Sequence, residues 1–182
     1  GDRVCNFPQS KNCQTLHGGE KGLDMVVWDG CAADESSIVF TYTHADGQEG
    51  MPGNVEIFMT YTLTPENEFK VEYLAQTDKA THVNISHHSF FNLKGEGNGT
   101  INDHVLYINA SLTTPVDSVL IPTGEIVKVE GTPFDFRTPK AIGQDLEVEN
   151  EQLKNGAGYD HNWVLDRATP SELELAASVY EP

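Results

Sequence analysis

Between Ser37 and Thr77 the chain alternates with a period of two, and no other feature constrains its fold as strongly. In Ser37–His44 the residues Ile38, Phe40 and Tyr42 alternate with Val39, Thr41 and Thr43. Successive side chains of a strand point to opposite faces, and β-branched and aromatic residues suit a pleated surface, so this run predicts a strand. Val55–Leu63 and Phe69–Thr77 alternate in the same way around Thr64-Pro65-Glu66-Asn67-Glu68, which predicts an antiparallel hairpin. Asp46-Gly47 and Met51-Pro52-Gly53-Asn54 mark turns. Further strands are expected at Thr81–Ser86, His104–Ala110, Ser118–Ile121, Glu125–Val129 and Asn162–Asp166. Pro115, Pro122, Pro133 and Pro139 leave little room for helices, apart from a short helical turn within Ala141–Gln152. In Glu172–Tyr180 the residues Leu173, Leu175 and Ala177 fit a strand, although the composition also suits a helix. Strands at short, regular spacing predict an all-β chain, an antiparallel β-sandwich, with residues 1–182 in a single domain.

Composition narrows the partners. With 38% hydrophobic and 21% charged residues in 182, the chain can build a core and is not of the disordered class. Eleven Lys and Arg against 28 Asp and Glu give a formal charge of −17. That field repels phosphate backbones and anionic bilayers, so neither nucleic acid nor a membrane is expected as a partner. A neutral ligand such as a sugar is compatible with it. No apolar run reaches the roughly 20 residues of a membrane span.

The opening Gly-Asp-Arg-Val-Cys has neither an initiator Met nor a signal pattern and reads as a mature or cut product; Glu181-Pro182 reads as a cut across a fold. Cys5, Cys13 and Cys31 are odd in number. A Cys5–Cys13 bridge would close a short loop, and reduced thiols are equally compatible. Asn84, Asn98 and Asn109 begin glycosylation sequons. Asn98 lies in a Gly-rich turn that could carry a glycan, whereas Asn84 is a poor acceptor if its stretch is buried. The expectation leans toward an extracellular location, with a cytoplasmic one as the alternative.

The chemistry concentrates in Asn84–Leu93, which holds His87, His88, Ser86, Ser89, Phe90, Phe91 and Asn92. Adjacent strand residues diverge, so one histidine faces a site and the other faces elsewhere. Histidine is the side chain suited to move a proton near neutral pH. Leu16-His17-Gly18-Gly19 sets a histidine against glycines that allow close backbone approach, though a plain turn has the same composition. Gly158-Tyr159-Asp160-His161-Asn162 puts a carboxylate on a turn entering a strand, where Asp160 could also cap its own backbone. Asp135 and Arg137 read as a local ion pair, and Trp28 and Trp163 as core aromatics. The seven histidines contain no His-x-His or HExxH pattern, and there is no phosphate loop or nucleophile elbow, so a site without metal or cofactor is expected.

Taken in order, these motifs resemble the aldose 1-epimerase (galactose mutarotase) family. The resemblance is carried by Leu16-His17-Gly18-Gly19-x-x-Gly22-Leu23-Asp24 with Val27-Trp28, then Asp46-Gly47-x-x-Gly50-x-Pro52-Gly53-Asn54, then Asn84–Leu93 with Gly95. Pro122–Ile126, Gly131–Arg137 and Gly158–Asn162 follow in the family's order. It implies a galactose mutarotase-like supersandwich and interconversion of the α and β anomers of a free aldose, glucose or galactose, by general acid–base catalysis. No cofactor is required. By motif position His88 is the acid, and His17 and Asp160 hold sugar hydroxyls. Arg3-Val4-Cys5-Asn6-Phe7 resembles the family's Arg-Val-x-Asn-Arg segment, which makes Asn6 a sugar contact and puts Phe7 where a substrate-binding Arg is expected.

The family's general-base Glu and a sugar-binding Gln are expected beyond the last residue, and a pair of early strands between Asn6 and His17 is expected to be missing. The resemblance is therefore to a partial member, incomplete at both ends. Two other readings follow: a carbohydrate-binding protein with impaired catalysis, and a structural or storage protein that keeps the fold. Open sheet edges suggest self-association or a second chain that completes the fold.

Overall fold

The computed structural model describes residues 5–9, 14–169 and 171–182. The chain divides into two compact units, Gly1–Ser89 and Phe90–Pro182.

The first unit is built on one antiparallel sheet in the order β1-β2-β3-β4, with β1 Asp29–Ala32, β2 Ser37–His44, β3 Val55–Leu63 and β4 Phe69–Thr77. The last three strands have the bounds that the alternation predicts. Pairing runs from Ser37↔Thr62 to His44↔Val55, and from Val55↔Thr77 to Leu63↔Phe69, without a slip. That register lines up Ile38, Phe40, Tyr42 and His44 with Val55, Ile57, Met59 and Tyr61 on one face. Val55, Ile57 and His44 are buried there. The ring of Phe40 meets Tyr61 edge-on at 5.5 Å. The opposite face carries Thr41, Glu56, Thr60, Thr62 and Glu72, and Ser37 and Thr62 join their hydroxyls across it at 3.0 Å. Strand β1 (Asp-Gly-Cys-Ala) shows no alternation and is exposed throughout; its ladder to β2 defines it.

Thr81–Ser86 corrects an expectation. Its composition is strand-like, but residues 80–92 make no ladder among the described residues. A strand is defined by a neighbour's backbone as much as by its own side chains. Asn84, within it, is exposed.

The second unit holds two three-stranded antiparallel sheets, β10-β5-β8 and β7-β6-β9. They comprise β5 Val105–Ile108, β6 Ala110–Thr114, β7 Val127–Lys128, β8 Lys140–Ala141, β9 Asn162–Leu165 and β10 Ala177–Tyr180. The run read as His104–Ala110 is thus two strands that part at Asn109. Ser118–Ile121 forms a turn instead of a strand: Asp117 gathers the N–H groups of Val119 and Ile121 on Oδ1, at 2.9 and 3.0 Å. Of Glu172–Tyr180, only the last four residues pair.

The helical turn expected in Ala141–Gln152 is a 3-10 turn at Ile142–Asp145; α1, Glu151–Gly156, starts at the end of that range and runs past it. Asn150 caps α1 by accepting the N–H groups of Gln152 and Leu153, and Ala157 ends it in left-handed backbone. The core of this unit joins Ile108, Ala110 and Phe136 with Val129, Phe134 and Leu153, and Tyr159 and Trp163 pack against both groups.

Candidate active site

In the first unit the structure brings His17 and His88 together. Their rings meet edge-to-face, with centroids 6.3 Å apart and planes at 87°. Both side chains are exposed. His87 takes a different set of neighbours: Tyr61 at 5.8 Å, Phe69 at 5.9 Å, and the Ser89 hydroxyl 3.2 Å from its Nε2. The two adjacent histidines therefore diverge as expected, although no ladder forces them to.

His17 itself lies in left-handed backbone (φ 52°), followed by Gly18 and Gly19 at φ 87° and 117°. A Cβ on Gly19 would collide with the Glu49 carboxylate, and the Glu20 N–H donates to Glu49 Oε2 at 2.9 Å. The turn that supplies Glu49 is closed by polar contacts. Asp46 Oδ1 accepts the Gly53 N–H at 2.6 Å, Asn54 Oδ1 accepts the Asp46 N–H at 3.0 Å, and Lys79 pairs with Asp46. Asp78 accepts both the backbone and the side-chain N–H of Asn54, and these bonds hold its carboxyl below the usual range.

Asn6 is exposed, and its carbonyl reaches the same turn, where it occupies the space that a Cβ on Gly50 would need. Phe7 meets the His82 ring at 6.5 Å. Cys13 lies outside the described residues, and the choice between a Cys5–Cys13 bridge and reduced thiols lies outside them with it.

Asp160 belongs to the second unit. It sits exposed on the turn between α1 and β9, and its N–H donates to His161 Nδ1 at 3.3 Å. His161 Nε2 lies 3.2 Å from Gln152 Oε1, which also accepts the Val116 N–H at 2.7 Å. A ring that accepts at Nδ1 and donates at Nε2 is neutral. Burial pushes His161 below its ordinary value, with Asp160 pulling the other way.

The rest of the Gly158–Asn162 motif is structural. Tyr159 donates to the Pro133 carbonyl at 3.1 Å, and burial pushes its hydroxyl up to about 12, with Asp145 adding to the effect. Phe134 packs on Tyr159 at 5.3 Å and on His161 at 4.6 Å, so Gly131–Arg137 is the bed on which the Asp160 turn lies. Asp135 and Arg137 form the expected local pair, with Arg137 Nε donating at 2.9 Å. Trp163 donates to the Phe134 carbonyl at 3.0 Å, as a core aromatic does. The tail of the histidine motif is also anchored here: buried His104 accepts the Leu93 N–H on Nε2 at 3.0 Å.

Glu49, which sequence reading passed over, meets the His17 loop through its carboxylate. It stood as one of the variable positions between Gly47 and Gly50. The available signal was an acidic residue enclosed by glycines in a turn, which is a poor place for it unless the side chain is used.

The first unit thus joins an antiparallel sheet to a histidine pair, His17 on a glycine loop and His88 on the segment that follows β4. The family model described as Aldose 1-epimerase matches residues 1–182, and the chain belongs to that family. It is 41% identical over 166 residues to the galactose mutarotase of Sus scrofa, covering 91% of this chain and 46% of that protein. With the aldose 1-epimerase of Haemophilus influenzae it shares 39% over 164 residues, covering 90% of this chain and 47% of that one. The crystal structure of galactose 1-epimerase from Lactobacillus acidophilus NCFM superposes with a TM-score of 0.87 at 32% identity, over 100% of this chain and 52% of that one. The fold is theirs. The chain spans about half the length of the curated relatives it matches.

Proposed function

We propose that these residues form the acid-bearing part of an aldose 1-epimerase site that interconverts the α and β anomers of glucose or galactose. The observation that carries this reading is the edge-to-face placement of His88 against His17, the two histidines that the family's motifs pick out. Opening a pyranose ring needs a proton delivered to the ring oxygen while a base takes the anomeric hydroxyl proton. His88 donates the first proton; His17, Asp160 and Asn6 hold hydroxyls. The sugar is neutral, so a chain of charge −17 offers it no long-range repulsion.

The test is polarimetry on freshly dissolved α-D-galactose, with a thermal-shift titration beside it. Any acceleration of the approach to the equilibrium rotation is expected to be lost in His88→Ala, since a positioned proton donor is worth about 10²–10⁴-fold. An acceleration over the uncatalysed rate that His88→Ala leaves unchanged would sink the acid role. Sugar-dependent stabilisation without any acceleration would favour a carbohydrate-binding protein over an enzyme.

A further inference from the structure

We infer that Glu49 is a positioning residue for the sugar site, holding the His17 loop through its carboxylate. The inference rests on the reading of His17 and Asn6 as sugar-holding residues. It begins with an anomaly of backbone. Glu49 has φ 48° and ψ 27°, between Gly47 at φ 84° and Gly50 at φ 75°. Left-handed backbone crowds the Cβ of any L-residue against its own carbonyl, so glycine adopts it freely and glutamate does not. A glycine at position 49 would relieve the turn. What it would remove is the carboxylate.

That carboxylate is in use. Oε2 accepts the Glu20 N–H at 2.9 Å, and the group fills the space beside Gly19 where a side chain would otherwise stand. The bond is charge-assisted and reaches a segment 29 residues away, the loop that begins at His17. The next residue of the same turn, Gly50, takes the Asn6 carbonyl against its bare Cα. Two consecutive residues therefore grip the two segments that carry His17 and Asn6. The grip is stiff at its root. Gln48 exchanges hydrogen bonds with Tyr42 of β2, and Asp46, Asn54, Asp78 and Lys79 tie the turn to the end of β4. A strained residue persists where its surroundings over-determine it, and such residues gather at functional sites.

The experiment uses the 182-residue chain with Glu49→Gly and Glu49→Gln, D-galactose as the probe, and three readouts: melting temperature, hydrogen exchange at the Glu20 amide, and galactose affinity by NMR titration. Glu49→Gly is expected to melt at or above the unsubstituted chain, to exchange Glu20 about tenfold faster, and to bind galactose about tenfold more weakly. Glu49→Gln keeps an acceptor oxygen in place and is expected to stay within about threefold on both counts. Unchanged Glu20 exchange and affinity in Glu49→Gly would overturn the inference. So would a large fall in its melting temperature, which would make the side chain a general stabiliser. If the unsubstituted chain does not bind galactose, the sugar reading fails, while the Glu20 amide still decides whether Glu49 holds the loop.

Discussion

Asp160 and His17 offer their side chains to solvent from backbone that is held elsewhere: Asp160 by the neutral His161 ring, His17 by the glycine loop on Glu49. Both side chains are exposed, so truncating either opens no cavity. Asp160→Ala and His17→Ala are therefore expected to keep the ligand-free melting temperature within about a degree. The galactose-induced rise should shrink in each, since a side-chain hydrogen bond is worth about 0.5–1.5 kcal/mol and one to a carboxylate about 1.5–3 kcal/mol. Thermal-shift titration checks this, and an undiminished rise in Asp160→Ala would exclude that carboxylate from the sugar. At this scale the sequence was only partly legible. A histidine beside glycines or hydroxyls stands out by type, but no spacing rule places His17 against His88; their meeting depends on tertiary structure. Glu49 stayed hidden because its importance lies in a φ angle and one acceptor oxygen, neither of which composition encodes.

Elements were read best where side chains alternate between two environments. β2, β3 and β4 matched to the residue because most of their apolar positions fall on the face that buries Val55 and Ile57. β1 and the two-residue β8 escaped, and β7 fills only Val127–Lys128 of the expected Glu125–Val129, because strands so short carry no period and exist through their partners' hydrogen bonds. Thr81–Ser86 erred the other way, with strand-forming residues but no ladder. The Gly131–Arg137 turn carries two core side chains, Phe134 and Phe136, both buried against Tyr159 and Trp163. Phe136→Ala is expected to destabilise the second unit by about 3–5 kcal/mol in chemical denaturation, the usual cost of emptying a core aromatic site. A loss below about 1 kcal/mol would show that the surrounding residues collapse into the space.

Across the whole chain, stability should fall in acid in two stages. Burial holds His44 and His161 below the ordinary histidine value of 6.5. The unfolded chain then binds more protons than the folded one as pH drops below about 6.5, and stability declines until the folded values are passed. Asp78, Asp103 and Asp135 are held below the usual carboxylate value by hydrogen bonds from Asn54, Lys94 and Arg137, so a second decline begins below about pH 4. Melting curves from pH 8 to pH 3 check the sign, and a melting temperature that rises between pH 7 and pH 5 would contradict it. The carboxylates were visible in the sequence as charge, but their partners were not, apart from the adjacent Asp135–Arg137 pair.

The chain's two tryptophans are divided between its units. Trp28 donates its indole N–H to the Leu23 carbonyl at 2.9 Å and tilts over Tyr42, while Trp163 stands among Phe134, Phe136 and Tyr159. Each unit thus contains its own fluorophore, Trp28 beside the loop that begins at His17 and Trp163 beside the Tyr159–Asp160 turn. Emission from a Trp163→Phe chain reports on the His17 side alone, and emission from a Trp28→Phe chain on the Asp160 side, so optical melting can be followed one unit at a time without any added label.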